Sequence, residues 1–176
     1  MKINRIIFIA LMASSFSVIA QEKSSIKWIS INEAEKLAQD QPRKIIVDIY
    51  TDWCGWCKRL DATTYKDPQV VDYINKNFYA VKFNAELKDK ISFKGADYSY
   101  DAQRRINTLS QILMANSTGY PTTTFLDEKL NVLSAVPGFQ KADMMVSILK
   151  YFGENTYLKT DWNSYLGSLS NGKEDN

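Results

Sequence analysis

The amino-acid sequence predicts an α/β domain, and two observations support this prediction. Patterns typical of helices and strands alternate in the first half of the chain, in the order helix, strand, helix, helix, strand. A run of branched apolar residues, 45–47, is typical of a buried strand and leads directly into a Trp-Cys-Gly-Trp-Cys turn that opens a helix. Because this turn contains both cysteines of the chain, Cys54 and Cys57, we expect the function to be organised around the strand–helix junction.

The N-terminal residues have the pattern of a secretory signal peptide. Lys2 and Arg5 precede an apolar stretch, and small residues follow before a polar segment. We expect residues 1–20 to be cleaved after Ala20 and the protein to be exported, to the periplasm or beyond the cell. An uncleaved anchor is the less favoured alternative, because the apolar stretch is shorter than the roughly 20 residues that a spanning helix needs.

Cleavage would leave one domain over residues 21–153, followed by a C-terminal amphipathic helix and polar tail over 154–176. The loss of Lys2 and Arg5 with the signal peptide takes the formal net charge from +2 to 0. A neutral chain gives no electrostatic reason to expect nucleic acid or a membrane surface as a partner.

Two capping patterns mark helix starts in the first half of the chain. Ser30 and Glu33 have the spacing of a capping box, and Asp67 followed by Pro68 is typical of an N-cap with proline at the first helical position. The predicted elements of this half are a helix from Ile31 that ends at Gln41-Pro42, a strand over about 44–50, a helix from the cysteines to about Tyr65, a helix from Pro68 with Val70, Val71 and Ile74 facing inward, and a strand over 78–83.

The second half begins with a predicted β-hairpin around Lys94-Gly95. A two-residue loop there pairs Phe93 with Ala96 and Ile91 with Tyr98, which places apolar residues on one face. The remaining predicted elements are a helix with Ala102, Ile106, Leu109 and Leu113 at helical spacing, two antiparallel strands over 122–126 and 131–136, a closing helix over 142–152, and a C-terminal helix whose apolar stripe (Leu158, Trp162, Tyr165, Leu166, Leu169) is expected to pack on the core.

A Cys-x-x-Cys pair at the start of a helix is suited to thiol–disulfide exchange. The thiolate is the reactive form of cysteine, and a helix N-terminus stabilises negative charge on the first sulfur. Cys54 is therefore the predicted nucleophile, and Cys57 is the predicted resolving thiol. A structural zinc site would need four ligands, whereas the chain has no third cysteine and no histidine. A purely structural disulfide is disfavoured because closing so short a loop removes little entropy.

Two segments carry a resemblance to the thioredoxin family. Residues 47–58 resemble its active-site segment, and Gly119-Tyr120-Pro121-Thr122 resembles its Gly-x-Pro-Thr loop. The stretch after the cysteines, through 71, is more similar to exported thioredoxin-like proteins and to the C-terminal domain of DsbD-type thiol:disulfide interchange proteins. The resemblance covers about residues 26–152 and implies a three-layer thioredoxin fold, with a central mixed β-sheet flanked by helices. The chain between 85 and 116 is longer than this fold requires and is predicted to be a hairpin-plus-helix insertion before a cis-proline loop.

The resemblance also implies roles for individual residues. Asp48 matches the buried acid below the cysteines, which helps to move the proton of the resolving thiol, so it joins Cys54 and Cys57 as a catalytic candidate. Lys82 matches a lysine near that acid and is the expected proton-relay partner. As alternatives, Asp48 could be an acid on an edge strand facing water, and Lys82 could be an ordinary solvated lysine.

The expected substrate-binding groove lies beside Cys54. Pro121 matches the proline that the family holds in the cis form opposite the disulfide, with the backbone of Tyr120 offered to an extended substrate. Trp53, Trp56 and Tyr120 would form the apolar rim of this groove.

The sequence therefore predicts an exported protein-disulfide oxidoreductase that needs no metal, nucleotide or organic cofactor. Its expected partners are protein dithiols or disulfides and a membrane or periplasmic electron donor, and we expect a monomer. The reducing direction is favoured because no histidine is present to stabilise the Cys54 thiolate, although Trp56 replaces the proline of thioredoxin's own motif. A disulfide oxidase or isomerase, or a client-binding module without catalysis, are the alternatives.

Overall fold

The computed structural model describes residues 25–115 and 117–171. The predicted signal peptide and the end of the polar tail lie outside these residues. The strands are β1 (Trp28–Ile29), β2 (Ile45–Tyr50), β3 (Tyr79–Asn84), β4 (Ile91–Phe93), β5 (Ala96–Tyr98), β6 (Tyr100–Asp101), β7 (Ile106–Asn107), β8 (Thr122–Leu126) and β9 (Val132–Pro137). The helices are α1 (Ile31–Asp40), α2 (Gly55–Ala62), α3 (Pro68–Asn77), α4 (Thr108–Met114), α5 (Ala142–Gly153) and α6 (Trp162–Asn171), with 3-10 turns at Thr64–Lys66 and Thr156–Leu158.

Five strands form the central sheet, in the order β1-β3-β2-β8-β9. Strand β3 is parallel to both β1 and β2, whereas β8 is antiparallel to β2 and to β9. The sheet is therefore mixed, as predicted. Strand β1 was not predicted from the sequence, because it has only two residues and is defined by its pairing with β3.

Alternation along β2 divides the core into two layers. Ile45, Val47 and Ile49 pack with α1, α4 and the hairpin on one face of the sheet. Ile46 packs on the other face with apolar residues of α2, α3 and α5. The predicted three-layer arrangement of helices around a central sheet is thus confirmed, and the alternation places Asp48 on the same face as Ile46.

The predicted caps are present at the starts of two helices. The hydroxyl of Ser30 accepts a hydrogen bond from the backbone N–H of Glu33 at 3.1 Å. The carboxylate of Asp67 accepts from the N–H groups of Gln69 and Val70, with Pro68 at the first helical position. These side chains bind N–H groups that have no partner within the helix, and so they fix where α1 and α3 begin.

The insertion contains the predicted hairpin, with Phe93 opposite Ala96 and Ile91 opposite Tyr98. The predicted helix from Ala102 is wrong in its first part, however, because Ala102 lies in a turn and Ile106 lies in β7. The carboxylate of Asp101 accepts hydrogen bonds from two N–H groups of this turn, which closes it locally. Helix α4 begins only after Asn107, whose side chain caps the N–H of Leu109 at 3.0 Å.

Asn107 also ties the insertion to the rest of the domain. It is fully buried, and its amide donates to the carbonyl oxygens of Leu87 and Asp89, each at 3.1 Å. Its backbone N–H donates to Ala85 at the end of β3, at 2.7 Å. The turn between β6 and β7 therefore projects from a fixed base.

The C-terminal helix packs on the core through only part of its predicted apolar stripe, because Leu158 lies in the 3-10 turn before the helix and is 70% exposed, and Leu169 is 37% exposed. The rings of Trp162 and Tyr165 lie 5.1 and 5.2 Å from the ring of Tyr151 on α5. Within residues 25–115 and 117–171, no helix combines the length and the apolar character needed to cross a membrane.

Candidate active site

Cys54 and Cys57 form a disulfide at the N-terminus of α2. Cys54 is the N-cap residue, and its sulfur accepts a hydrogen bond from the backbone N–H of Cys57 at 3.0 Å. The backbone N–H of Cys54 in turn donates to the carbonyl of Thr51, which fixes the turn between β2 and α2. Both cysteines are buried, with 5% of Cys54 and 2% of Cys57 exposed. An N–H group with no partner inside the helix therefore donates to the first sulfur. This arrangement would stabilise a thiolate at Cys54.

Asp48 lies on the central strand of the sheet and is buried. It is opposite Lys82 of β3 and Thr123 of β8 in the strand register. The three side chains share the face that α2, α3 and α5 cover, because alternate residues of each strand point the same way. The alternative of a water-facing acid on an edge strand is therefore excluded.

The buried end of β2 concentrates polar atoms that have no hydrogen-bond partner. Among the described residues, three buried side-chain oxygens have none: both carboxylate oxygens of Asp48 and the hydroxyl of Thr51. Leaving a buried polar group unpaired costs roughly 1–3 kcal/mol of stability, so native proteins contain few such groups, and for Asp48 the ammonium of Lys82, 3.2 Å from Oδ2, offsets part of this cost. The position of these atoms, immediately before the cysteine turn, makes this end of β2 a candidate functional site.

Lys82 lies between two carboxylates. Its ammonium nitrogen is 3.2 Å from Asp48 Oδ2, as an ion pair outside the geometry of a hydrogen bond, and it donates a hydrogen bond to Asp61 of α2. The same nitrogen lies 5.3 Å from the ring centre of Trp28 and 5.1 Å from that of Tyr50. Lys82 is therefore held in place by charges and aromatic faces and is not an ordinary solvated lysine.

Burial is the main influence on the acid–base properties of Asp48. Desolvation raises the pKa of Asp48 from its ordinary value of 3.8 to about 6, because the charged form loses contact with water. The positive charge of Lys82 opposes this shift, and the negative charge of Asp61 adds to it. Near neutral pH the carboxylate is thus mostly ionised yet basic enough to accept a proton.

Two further residues near Asp48 were not identified from the sequence. Tyr65 is buried, its hydroxyl lies 3.3 Å from Thr123 Oγ1, and burial together with the charge of Asp48 raises its pKa well above the ordinary range. Asp61 lies four residues after Cys57, on the same side of α2, and this spacing could have indicated it. Asp61, Tyr65 and Lys82 line a surface pocket of about 400 Å³, so the buried acid is linked to solvent through its partners.

The predicted aromatic residues form two separate contacts instead of one rim. The ring of Trp53 lies 5.9 Å from that of Tyr120, and the Tyr120–Pro121 bond is cis, as predicted. The ring of Trp56 lies 5.6 Å from that of Phe139, which follows β9 and was not predicted as part of the site.

The two tryptophans are the exposed part of the site. Trp53 is 67% exposed and Trp56 56% exposed, whereas the disulfide between them is buried. The guanidinium of Arg59 lies 5.4 Å from the ring of Trp56 and 5.6 Å from that of Phe139. A partner that approaches Cys54 would therefore meet aromatic surfaces first.

Comparison with known proteins places this geometry in a family. A family model described as a thioredoxin-like domain matches residues 31–153. The thiol:disulfide interchange protein DsbD of Haemophilus influenzae is 29% identical over 133 residues, a match that covers 72% of this chain. The match covers 20% of DsbD, so the chain spans about a fifth of the length of this relative.

Solved structures support the same fold. A putative disulphide-isomerase from Bacteroides thetaiotaomicron superposes with a TM-score of 0.55 at 24% identity, covering 80% of this chain and 98% of the other. A thioredoxin-fold protein from Helicobacter pylori superposes with a TM-score of 0.54 at 18% identity, covering 82% and 84%. Identities this low show the fold alone.

The raised pKa of Asp48 predicts an unusual pH dependence of stability. Because the folded protein holds this proton more tightly than the unfolded chain, the stabilisation is present below about pH 4 and is lost as the pH rises through about 6. The Asp48→Asn variant should not show this decrease in stability, because asparagine does not ionise. Relative to the wild type, its free energy of unfolding should therefore increase by about 3 kcal/mol between acidic and neutral pH.

Urea unfolding of the disulfide form at several pH values measures this difference. Asp72→Asn, which removes one exposed carboxylate from α3, is the matched control. If the difference in the free energy of unfolding between Asp48→Asn and wild type stayed constant from pH 4 to pH 8, the raised pKa of Asp48 would be contradicted.

Proposed function

Because the chain belongs to the thioredoxin-like domain family, we propose that it is an exported protein-disulfide oxidoreductase that reduces disulfides in other proteins. The observation that carries this proposal is the Cys54–Cys57 disulfide at the start of α2, adjacent in sequence to the strand that bears a buried, proton-accepting Asp48. A chain with a purely structural disulfide would have no use for that acid.

The first step uses the reduced form of the protein. The thiolate of Cys54, stabilised by the N–H of Cys57 and the N-terminus of α2, attacks one sulfur of a partner disulfide. The partner's S–S bond breaks, one partner thiolate leaves, and a mixed disulfide joins Cys54 to the partner.

The second step releases the partner. Cys57 gives its proton to Asp48, and its thiolate attacks the sulfur of Cys54 in the mixed disulfide. The second partner thiolate leaves, so two electrons have passed from the protein to the partner and the Cys54–Cys57 disulfide has formed. Lys82 stabilises the charge of Asp48 and, with Asp61, offers the proton a route to the surface pocket.

The groove for the partner lies beside the exposed tryptophans. An extended segment of the partner would pair with the backbone of Tyr120 before the cis Pro121 and rest against Trp53. Trp56 and Phe139 would cover the other side of the attacking sulfur.

The reducing direction is favoured because no histidine cation adds to the stabilisation that the N-terminus of α2 gives the Cys54 thiolate. The chain has no histidine, and the nearby Arg59 is engaged with the rings of Trp56 and Phe139. Strong oxidants of this kind owe their potential to a stabilised reduced form. In an exported protein a reductase needs a supply of electrons, because exported compartments are oxidising, and a dithiol donor at the membrane would provide them.

Trapping tests the assignment of the two cysteines. The Cys57→Ser variant should accumulate mixed disulfides through Cys54, because the first attack proceeds and the release does not. Mass spectrometry after incubation with an oxidised protein substrate measures the adduct. Cys54→Ser is the matched control and should form few adducts; equal trapping by both variants would contradict the assignment.

The role of Asp48 is tested by separating the two half-reactions. Asp48→Asn should slow the release step by about 10²–10⁴-fold, the range of general acid–base catalysis, and change the first attack much less. The wild-type release rate should rise with pH through about 6, and the variant should lose this rise. Rapid-quench measurement of both steps against pH gives the result. Unchanged release kinetics would remove Asp48 from the mechanism.

The direction of electron flow is tested by the reduction potential. Equilibration with glutathione buffers followed by thiol trapping should give a value near the roughly −270 mV of thioredoxin, because the Cys54 thiolate has few stabilising neighbours. A value near roughly −120 mV would instead indicate an oxidase. An unchanged effect on client proteins in the Cys54→Ser variant would instead support a client-binding module without catalysis.

A further inference from the structure

A second pocket lies beside the exposed Trp53. It has a volume of about 460 Å³ and is lined by Trp53, Glu86, Arg104, Arg105, Ile106 and Tyr120. Trp53 adjoins Cys54 in sequence, and Tyr120 precedes the cis Pro121, so one wall of the pocket is the rim of the active site. The opposite wall comes from the insertion, at the turn between β6 and β7.

The two arginines of this wall are held by a fixed turn. One carboxylate oxygen of Asp101 accepts a hydrogen bond from the backbone N–H of Arg104 at 3.1 Å. The other carboxylate oxygen lies 3.5 Å from the guanidinium of Arg104. Arg105 has a left-handed backbone with φ of 59°, which closes the turn before β7. Asn107 then anchors the end of the turn in the core. The backbone that carries the two arginines therefore does not need to reorganise when a ligand binds.

One positive charge of the pocket has no charge partner within the described part of the chain. Of its two exposed arginines, Arg104 already lies 3.5 Å from a carboxylate oxygen of Asp101, and the pocket wall also carries the carboxylate of Glu86. Glu86 already accepts a hydrogen bond from Trp53 Nε1 at 3.1 Å. Arg105 forms no salt bridge with any residue that the structure describes. The planar fork of an arginine matches a carboxylate closely, and Arg105 can offer one here, with the remaining donors of Arg104 beside it.

We infer that this pocket recognises an acidic side chain next to the reactive cysteine of the partner polypeptide. The inference rests on the proposed function, since it names the class of disulfide substrate that Cys54 attacks. A partner segment lying against Trp53 and Tyr120 would bring a Glu or Asp near its cysteine to Arg104 and Arg105. The insertion thereby selects among partners, while the cysteines perform the exchange.

Peptides that differ only in charge test this inference. Three synthetic peptides, each with an internal disulfide between two cysteines, carry Glu, Gln or Lys at the positions beside the first cysteine. Each is mixed with the reduced full-length protein, and the rate constant of peptide reduction is measured by acid quench and alkylation. The wild type should reduce the Glu peptide about three- to tenfold faster than the Gln peptide, and the Lys peptide more slowly, as expected for two exposed charge pairs.

The preference should respond to salt and to the arginines. Raising the ionic strength from about 0.01 M to about 1 M shortens the screening length from about 30 Å to about 3 Å, which should bring the Glu-to-Gln rate ratio close to one. The double variant Arg104→Gln with Arg105→Gln should lose the preference, and Arg105→Glu should invert it. Arg43→Gln is the matched control, because Arg43 stacks on Tyr79 before the start of β2, at the end of that strand remote from the cysteine turn.

Each outcome separates this inference from the proposed function. Equal rates for the Glu and Gln peptides in the wild type would overturn the inference and leave the reductase proposal intact. A full preference retained by the double variant would equally overturn it. Failure of the wild type to reduce any of the peptides would overturn the proposed function and the inference together.

Discussion

A carboxylate buried in the middle of a sheet, with a lysine ammonium as its charge partner, is the constraint on which the site depends. The backbone of Asp48 is fixed in the sheet, because β2 pairs with β3 on one side and with β8 on the other. Its compensation is the ion pair with Lys82, and that lysine gives its hydrogen bond to Asp61. An apolar residue at this position would avoid the cost of burying a charge, which agrees with the proposed catalytic role of Asp48.

The elements that the sequence predicted correctly are those defined by local signals. Helices α1 and α3 start at caps formed within four residues, and the register of the hairpin follows from its two-residue loop. The start of α4 was predicted too early for a related reason. The apolar spacing of 102, 106, 109 and 113 fits a helix, but the side chains of Asp101 and Asn107 bind the backbone first and divide the segment into a turn and a shorter helix.

Within the site, the sequence predicted motifs better than contacts. The cysteine pair at a helix start and the cis bond before Pro121 belong to short motifs and are present in the structure. The ion pair of Asp61 with Lys82 joins residues 21 positions apart in the sequence. The hydrogen bond from Trp53 to Glu86 joins residues 33 positions apart. Such partners are set by how α2 packs over the sheet and how β3 ends, which no local spacing encodes. The proximity of Asp48 and Lys82 was expected from the family resemblance. In the structure it follows from the register of β2 and β3, which places the two residues opposite each other.

The residues proposed for proton transfer and those proposed for recognition lie in different parts of the domain. Asp48, Lys82 and Asp61 belong to the face covered by α2, α3 and α5, whereas the hairpin of the insertion packs with α1 and α4 on the other face. The turn with Arg104 and Arg105 reaches the active-site rim only at Trp53 and Tyr120. The charges that act on the pKa of Asp48 are those of Lys82 and Asp61. If the pocket selects partners as proposed, substitutions of Arg104 and Arg105 should therefore change partner choice without changing the proposed proton acceptor.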